Sequence, residues 1–151
     1  MENLLISACL MGFCCKYSGG ANTLPEAQLA ALRQKFRLIP VCPETAGGLP
    51  VPRDPSERQG DRVATCRGRD VTAEFEKGAE AALCLAKRFG CKKALLKENS
   101  PSCGSGSIYD GSFSGVRIPG YGLAAERLKA NGLALYGESR IEALCRAEGA
   151  L

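Results

Sequence analysis

The sequence predicts an α/β protein with an open, mostly parallel sheet of about four strands and helices on both faces. One observation leads to this fold class and a second to the number of domains. Short apolar runs alternate with segments of helical spacing along the 151 residues, and strands that alternate with helices form parallel sheets. The chain also shows no internal repeat or domain boundary, and its length suits one domain, so we expect a single domain over residues 1–151.

The chain opens with a strand, a helix and a second strand. We predict the first strand at residues 3–8, the helix at 25–35 and the second strand at 37–41. The helix has an apolar face made of three leucines near its start and middle, which are Leu24, Leu29 and Leu32. Because the two strands are joined through a helix, we expect them to be parallel.

A long stretch at residues 43–69 separates this unit from the next predicted helix. It is rich in proline and glycine, and loops of this length in a compact domain are usually functional or disordered. Since it starts directly after Cys42, we interpret it as an active-site loop. We expect a short hairpin within it, around Val63 and Arg69.

The second half of the chain continues the alternation. Gly90 is well placed to end a helix, because glycine readily adopts the left-handed conformation that follows many helices. A glycine- and serine-rich segment covers residues 100–115. The predicted elements are a helix at 72–89, a strand at 92–97, a helix at 122–131, a strand at 134–136 and a last helix at 139–147.

Composition and charge narrow the choice of partner and compartment. Apolar residues make up 45% and charged residues 24% of the chain, as in ordinary soluble proteins. Twenty basic and sixteen acidic residues give a net charge of +4, but the basic residues are scattered and indicate no nucleic-acid partner. No apolar run approaches the ~20 residues that span a bilayer, and the amino terminus does not read as a signal peptide. We therefore expect a cytoplasmic protein without a membrane partner.

The chain contains no histidine and nine cysteines. The absence of histidine excludes Ser-His-Asp and Cys-His catalysis and every histidine-containing metal site. Acid–base chemistry therefore falls to Asp, Glu, Lys, Tyr or Cys, and any metal must be held by cysteine and carboxylate. Because a cytosol keeps thiols reduced, a disulfide framework is a poor explanation for the nine cysteines.

Three cysteines stand where apolar strand patterns end. Cys9 and Cys42 follow the first and second predicted strands, and Cys103 closes the loop after the third. Ligands of open parallel sheets bind beyond the carboxyl ends of the strands, so neighbouring strands would bring the three thiols together. Thiolates gathered in this way favour an iron–sulfur cluster, zinc or copper(I), and three protein ligands leave one metal position open for chemistry. The alternative is that each cysteine is a small buried apolar residue.

The remaining cysteines have other interpretations. Cys84 and Cys145 fall within predicted helices among apolar neighbours, and Cys91 begins a strand, so packing explains all three. Cys14 and Cys15 are either a spare ligand or an accidental exposed pair. We favour the exposed pair, because adjacent thiols cannot easily point at the same metal.

Polar groups accompany the cysteines at the predicted sheet edge. Glu44 is either a solvated loop carboxylate or a general acid–base group. The segment 100–107 is either a plain polar loop or a nest of donors for cluster sulfides or a substrate anion. Arg53 either binds a phosphate or carboxylate or forms an ion pair with Asp54 or Glu57.

Together these segments resemble a bacterial family that was formerly known only as a domain of unknown function and is now associated with thiouracil desulfidases. The match runs from about residue 4 to 140, in the right order and spacing, and is highly specific. The motifs that carry it are Ser7-Ala8-Cys9-Leu10-Met11-Gly12, Lys16-Tyr17-Ser18-Gly19, Val41-Cys42-Pro43-Glu44, Gly47-Gly48-Leu49-Pro50-Val51-Pro52-Arg53, Gly68-Arg69-Asp70-Val71-Thr72, Leu96-Lys97-Glu98-Asn99-Ser100-Pro101-Ser102-Cys103-Gly104 and Tyr109-Asp110-Gly111-Ser112-Phe113-Ser114-Gly115.

The resemblance implies a Rossmann-like α/β domain that holds a [4Fe–4S] cluster on Cys9, Cys42 and Cys103. The fourth iron would take up sulfur from a thiolated uracil. By the same resemblance, Glu44 matches the family's acid–base position and Ser100 its substrate-orienting position. The implied reaction is non-redox desulfuration of thiouracil or thiouridine to uracil or uridine and hydrogen sulfide. We expect a small thiolated base or nucleoside as substrate, and tRNA stays open as a partner that the charge does not indicate.

Two other classes of function stay open on the sequence. One is a cysteine-only metal or sulfur-carrier protein, with zinc or a persulfide and no hydrolytic activity. The other is a small nucleotide-binding module whose thiols are incidental. Lys16 stands where the family pattern has arginine, and this departure bears on substrate choice more than on cluster binding.

Overall fold

The computed structural model describes residues 1–149 and contains a four-stranded parallel sheet. In chain order its elements are β1 (Glu2–Ser7), α1 (Glu26–Lys35), β2 (Phe36–Val41), α2 (Pro43–Ala46), β3 (Ser56–Gln59), β4 (Arg62–Thr65), α3 (Thr72–Arg88), β5 (Lys93–Leu96), β6 (Ser105–Tyr109), β7 (Arg117–Tyr121), α4 (Leu123–Ala130), β8 (Ala134–Gly137) and α5 (Ile141–Gly149). The sheet has the strand order β2-β1-β5-β8, and each neighbouring pair is parallel.

Helices cover both faces of this sheet. On one face, Leu5 belongs to a buried cluster with residues of α3 and α4. On the other face, Leu4 and Ile6 belong to a cluster with residues of α1 and α5. The division follows from the pleat, since successive side chains of a strand point to opposite faces and β1 lies in the middle of the sheet. The predicted fold class is therefore confirmed.

The helices and sheet strands begin and end close to their predicted bounds. Helix α3 ends as expected at Gly90, which has a φ of +62°. The Gly90 N–H donates to the Lys87 carbonyl at 3.2 Å, and the Cys91 N–H donates to the Ala86 carbonyl at 2.8 Å, which closes the helix. The last predicted helix is divided into a 3₁₀ helix, Glu138–Arg140, followed by α5. Among residues 1–149 there is no helix that could span a bilayer.

The two long loops contain more structure than the sequence predicts. In the 43–69 stretch, strands β3 and β4 form an antiparallel hairpin that starts earlier than the one expected around Val63 and Arg69, where only an isolated bridge joins Ala64 to Asp70. The glycine- and serine-rich segment, expected as a loop, contains β6, which pairs with β7. Serine and glycine have low strand propensity, so the local pattern did not indicate this hairpin.

Two glycines bring the short helix α2 against α3. A Cβ added at Gly78 would lie 1.8 Å from the Pro43 carbonyl oxygen, and one added at Gly47 would lie 1.9 Å from the Glu74 carbonyl oxygen. Only hydrogen at both positions lets the two backbones approach so closely. Because α2 starts directly after Cys42, this contact sets where the Cys42 loop lies relative to the sheet.

Candidate functional site

A cavity of about 510 Å³ lies at the carboxyl edge of the sheet, where β1, β2 and β5 end. It is lined by every residue that the sequence predicts for the site, which are Cys9, Cys42, Glu44, Ser100 and Cys103. The first two follow β1 and β2 directly, and the last two belong to the turn after β5. Parallel neighbouring strands thus bring together residues that are as many as 94 positions apart in the chain.

Cys9 is held by a 3₁₀ helix that starts where β1 ends. This helix, Ala8–Met11, stops at Gly12, which has a φ of +104°. The Cys9 carbonyl accepts hydrogen bonds from the backbone N–H of Gly12 at 3.3 Å and of Asn22 at 3.0 Å. The Asn22 side chain also interacts with the Cys9 thiol. The position of this thiol is therefore set by backbone contacts on both sides of the Gly12 turn.

Cys103 is positioned by the side chain of Ser100. The Ser100 hydroxyl oxygen accepts hydrogen bonds from the backbone N–H of Ser102 at 3.2 Å and of Cys103 at 3.0 Å. The Ser102 hydroxyl oxygen, which is almost completely buried, lies 3.7 Å from the Cys103 sulfur. Ser100 therefore shapes the turn that carries this cysteine, in addition to lining the cavity.

Burial shifts the pKa values of these thiols upward. It raises the pKa of Cys103 to about 12, against partial opposition from hydrogen bonds with Ser7 and Ser102. Burial also raises the pKa of Cys9, and the nearby Cys42 raises it further. Thiols with such pKa values are protonated at neutral pH, so a metal that binds them must displace protons.

The site is not arranged around a single metal ion. In the part of the chain that the structure describes, no three cysteine or carboxylate side chains converge on one ion-sized position. The thiols of Cys9, Cys42 and Cys103 nevertheless influence one another electrostatically. The three thiols are therefore near neighbours around a shared space.

Glu44 is held between an arginine and a serine. The Arg53 guanidinium donates through Nε to Glu44 Oε1 at 3.1 Å, and the Ser102 hydroxyl donates to Glu44 Oε2 at 2.9 Å. The side chains of Glu44 and Arg53 are 15% and 7% exposed. The same Ser102 hydroxyl contacts the Cys103 thiol, so the carboxylate is linked to the thiols through one hydroxyl group. Arg53 thus forms an ion pair within the chain, but its partner is Glu44 and not Asp54 or Glu57, the two partners expected from the sequence.

The burial of the other cysteines differs in part from what the sequence predicts. Cys91 is buried and Cys145 is half-buried, as packing requires, but Cys84 is exposed on α3, so the packing interpretation was wrong there. The interpretation of the adjacent pair as exposed was wrong for one member. Cys14 is exposed, whereas Cys15 is half-buried and lines the cavity.

The cavity also contains residues that sequence reasoning missed or named only as part of a motif. Ser102 lies between Glu44 and Cys103, and Lys97 and Glu98 line the same cavity after β5. A single sequence offers little signal for Ser102, because serines are common in polar loops. The one clue is its place directly before Cys103.

Comparison with known proteins identifies the family. The family model described as 2-thiouracil desulfurase matches residues 4–140. The chain belongs to this family. A solved structure of the [4Fe–4S]-dependent thiouracil desulfidase TudS is 45% identical, with a TM-score of 0.95 and coverage of 100% of both chains. The protein YbbK of Bacillus subtilis (strain 168) is 36% identical in an alignment of 148 positions that covers 91% of this chain and 97% of YbbK. The family and the class of enzyme predicted from the sequence motifs are thus confirmed.

Proposed function

We propose that this member of the 2-thiouracil desulfurase family is a [4Fe–4S]-dependent desulfidase. It would convert a thiolated uracil base or nucleoside and water into uracil or uridine and hydrogen sulfide, without net oxidation or reduction. The observation that carries the proposal is the convergence of three thiols from three strand ends on one cavity that also contains Glu44. The 45% identity to TudS over the whole chain supports it.

The residues of the cavity suit an iron–sulfur cluster. Cys9, Cys42 and Cys103 would hold it, and each thiolate would bind a different iron, which agrees with thiols that share a space without meeting at one point. Because the chain contains no histidine, an imidazole cannot serve as a ligand, and cysteine and carboxylate supply the metal-binding side chains. When bound, the cluster would supply a Lewis-acidic iron that these three cysteines leave open to the substrate, and this iron would polarise the thiocarbonyl group.

Glu44 is the group that would move protons. One of its oxygens accepts from Arg53, which keeps the carboxylate oriented, and the other faces Ser102 beside the thiols. In this position it takes a proton from the water that attacks the ring carbon and delivers it toward the departing sulfur. Ser100 would orient the substrate at the cavity wall, although its hydroxyl oxygen also accepts the two backbone N–H groups of its turn.

The size of the cavity fits a small substrate. Its volume of about 510 Å³ lies within the usual range for small-molecule sites. Tyr17 and Tyr109 line it and supply flat rings near the opening. We therefore infer a free thiolated base or nucleoside as the substrate, in the cytoplasm, and not whole tRNA.

Anaerobic reconstitution with iron and sulfide tests the proposal. We expect broad absorbance near 400 nm, followed by loss of the thiocarbonyl absorbance when 2-thiouracil or 4-thiouridine is added. Serine variants of Cys9, Cys42 and Cys103 should lose the cluster absorbance, whereas the variant of the exposed Cys84 should keep it. A colourless protein that binds zinc would refute the proposal, as would a cluster-loaded protein that leaves both thiocarbonyl compounds intact.

A further inference from the structure

The cavity is lined by a fourth cysteine beyond the three that would hold the cluster. Cys15 lines it together with Cys9, Cys42 and Cys103, and its side chain interacts with both Cys42 and Cys9. The neighbouring Cys14 is exposed, is absent from the cavity lining, and directs its thiol to the Gly12 carbonyl at 4.0 Å. The adjacent thiols therefore face different surroundings, and only one of them belongs to the thiol group of the site.

The backbone of Cys15 is hydrogen-bonded to Arg53 and Cys42, on the side of the cavity that contains Glu44. Its carbonyl accepts a hydrogen bond from Arg53 Nη2 at 2.9 Å and one from the Cys42 thiol at 3.8 Å, and its N–H donates to the Phe13 carbonyl at 2.9 Å. The same Arg53 orients Glu44. With the main chain held in this way, the Cys15 thiol can move only by rotation of its own side chain, between its present place beside Cys42 and the open cavity.

We propose that Cys15 is a fourth, exchangeable thiolate ligand of the cluster, which binds the open iron between turnovers and gives way to the substrate sulfur. The inference rests on the proposed function, because it needs the cluster. The exchange is a simple substitution in which the bond from iron to Cys15 Sγ breaks as the bond to the substrate sulfur forms. No electron is transferred, and the released thiolate takes a proton from water.

The chemistry of the site favours this role over simple packing. Soft thiolates are preferred ligands of iron–sulfur clusters, and the fourth cysteine, Cys15, lines the same cavity as the other three. Cys15 also packs at the margin of the apolar cluster beneath α1 and α5. If Cys15 only packed, the affinity of the open iron for an added thiol would not depend on the Cys15 sulfur. The experiment measures this dependence.

The first test compares anaerobically reconstituted wild type with Cys15→Ala and Cys14→Ala. Alanine removes the sulfur without offering an oxygen ligand, and Cys14→Ala is the matched control on the adjacent exposed residue. Each protein is titrated with 2-mercaptoethanol, a small thiol that binds an open iron, and the visible spectrum is recorded, with EPR spectra taken after reduction of the cluster to its paramagnetic 1+ state. An internal ligand that occupies the iron nine-tenths of the time lowers the apparent affinity about tenfold. We expect Cys15→Ala to bind the probe about tenfold more tightly than wild type and Cys14→Ala to match wild type.

The second test uses only the wild type and so does not depend on the folding of a variant. The loaded protein is treated briefly with iodoacetamide, with and without 2-thiouracil, and the peptides are sequenced by mass spectrometry. We expect Cys14 to be alkylated in both samples, and Cys15 to be alkylated only when 2-thiouracil has displaced it.

The outcomes separate the inference from the function on which it rests. Equal probe affinities in wild type and Cys15→Ala would overturn the inference while leaving the cluster in place. Alkylation of Cys15 at the same rate with and without 2-thiouracil would overturn it as well. A wild type that assembles no cluster at all would overturn both the inference and the proposed function.

Discussion

Two acidic residues stand just beyond β2 and β5, the two strands on either side of β1, and only one of them faces the thiols. Glu44 follows β2, and Glu98 follows β5, and both line the cavity. Glu44 is bound by Arg53 and by Ser102, which contacts Cys103. The Glu98 carboxylate instead accepts hydrogen bonds from the hydroxyl and the N–H of Ser139.

The surroundings of Glu98 identify it as a structural residue. Its backbone N–H donates to Glu138 Oε1 at 2.6 Å, and the other oxygen of Glu138 pairs with Lys97 Nζ at 2.7 Å. This network fastens the 3₁₀ helix Glu138–Arg140 to the end of β5. The comparison teaches that position at the sheet edge does not by itself make a carboxylate catalytic. The group that binds the second carboxylate oxygen makes the difference. For Glu44 this group is the Ser102 hydroxyl, which also contacts the Cys103 thiol.

The largest effect should follow from Glu44→Gln. Glutamine keeps the shape and one acceptor but cannot carry the proton, so we expect turnover of 2-thiouracil to fall by about 10²–10⁴-fold. The absorbance of the cluster should persist, because all three thiolates remain, and substrate affinity should change far less. Near-normal turnover would remove Glu44 from the mechanism. Loss of the cluster would instead make Glu44 a structural support of the Cys42 loop.

A smaller effect is expected from Arg53→Met. The guanidinium orients Glu44 and also holds the Cys15 carbonyl, so its loss should let the carboxylate drift and lower kcat by about 10²-fold. Arg53→Lys should recover only part of this loss, because an ammonium group cannot reproduce the guanidinium fork. Steady-state kinetics that separate kcat from KM provide the measurement. A kcat equal to that of wild type would mean that Ser102 alone orients Glu44.

Glu98→Gln tests the other side of the comparison. It weakens the acceptor that binds Ser139, so we expect the free energy of unfolding to fall by about 1–2 kcal/mol. Urea unfolding of the metal-free protein measures this change. Turnover of the loaded enzyme should stay close to wild type, in contrast to Glu44→Gln. If turnover instead fell as far as in Glu44→Gln, the distinction between the two carboxylates would be wrong.

The smallest effect concerns the buried thiol of Cys103, which contacts Ser102 next to Glu44. The pKa of Cys103 is raised to about 12 in the folded protein, whereas an unfolded thiol has a value of 9.0. The folded state therefore holds the proton more tightly, so this contribution to stability is complete below pH 9 and is lost as pH rises toward 12. Between pH 9 and 10 the metal-free wild type should lose about 1 kcal/mol more unfolding free energy than Cys103→Ala. Parallel pH profiles for the two proteins would show that Cys103 does not titrate in this way.

The sequence by itself determined the fold class, the order of the sheet elements and the cysteines of the site. Apolar spacing is a local property, so it indicates where the strands of the parallel sheet and most helices begin and end without knowledge of the rest of the chain. The three cysteines were predictable because each follows a strand, and parallel strands end at the same edge of a sheet. The absence of histidine then left few residue types for the chemistry.

The tertiary structure alone decided which neighbouring groups act together. Glu44 and Ser102 are 58 positions apart, and Arg53 meets Cys15 across 38 positions. No local pattern encodes such pairs. The sequence likewise could not separate Cys14 from Cys15, because the turn after Gly12 directs one side chain outward and the other into the cavity. The β6–β7 hairpin escaped prediction for a related reason. Its serines and glycines gain a strand conformation by pairing with β7, and not from their own propensity.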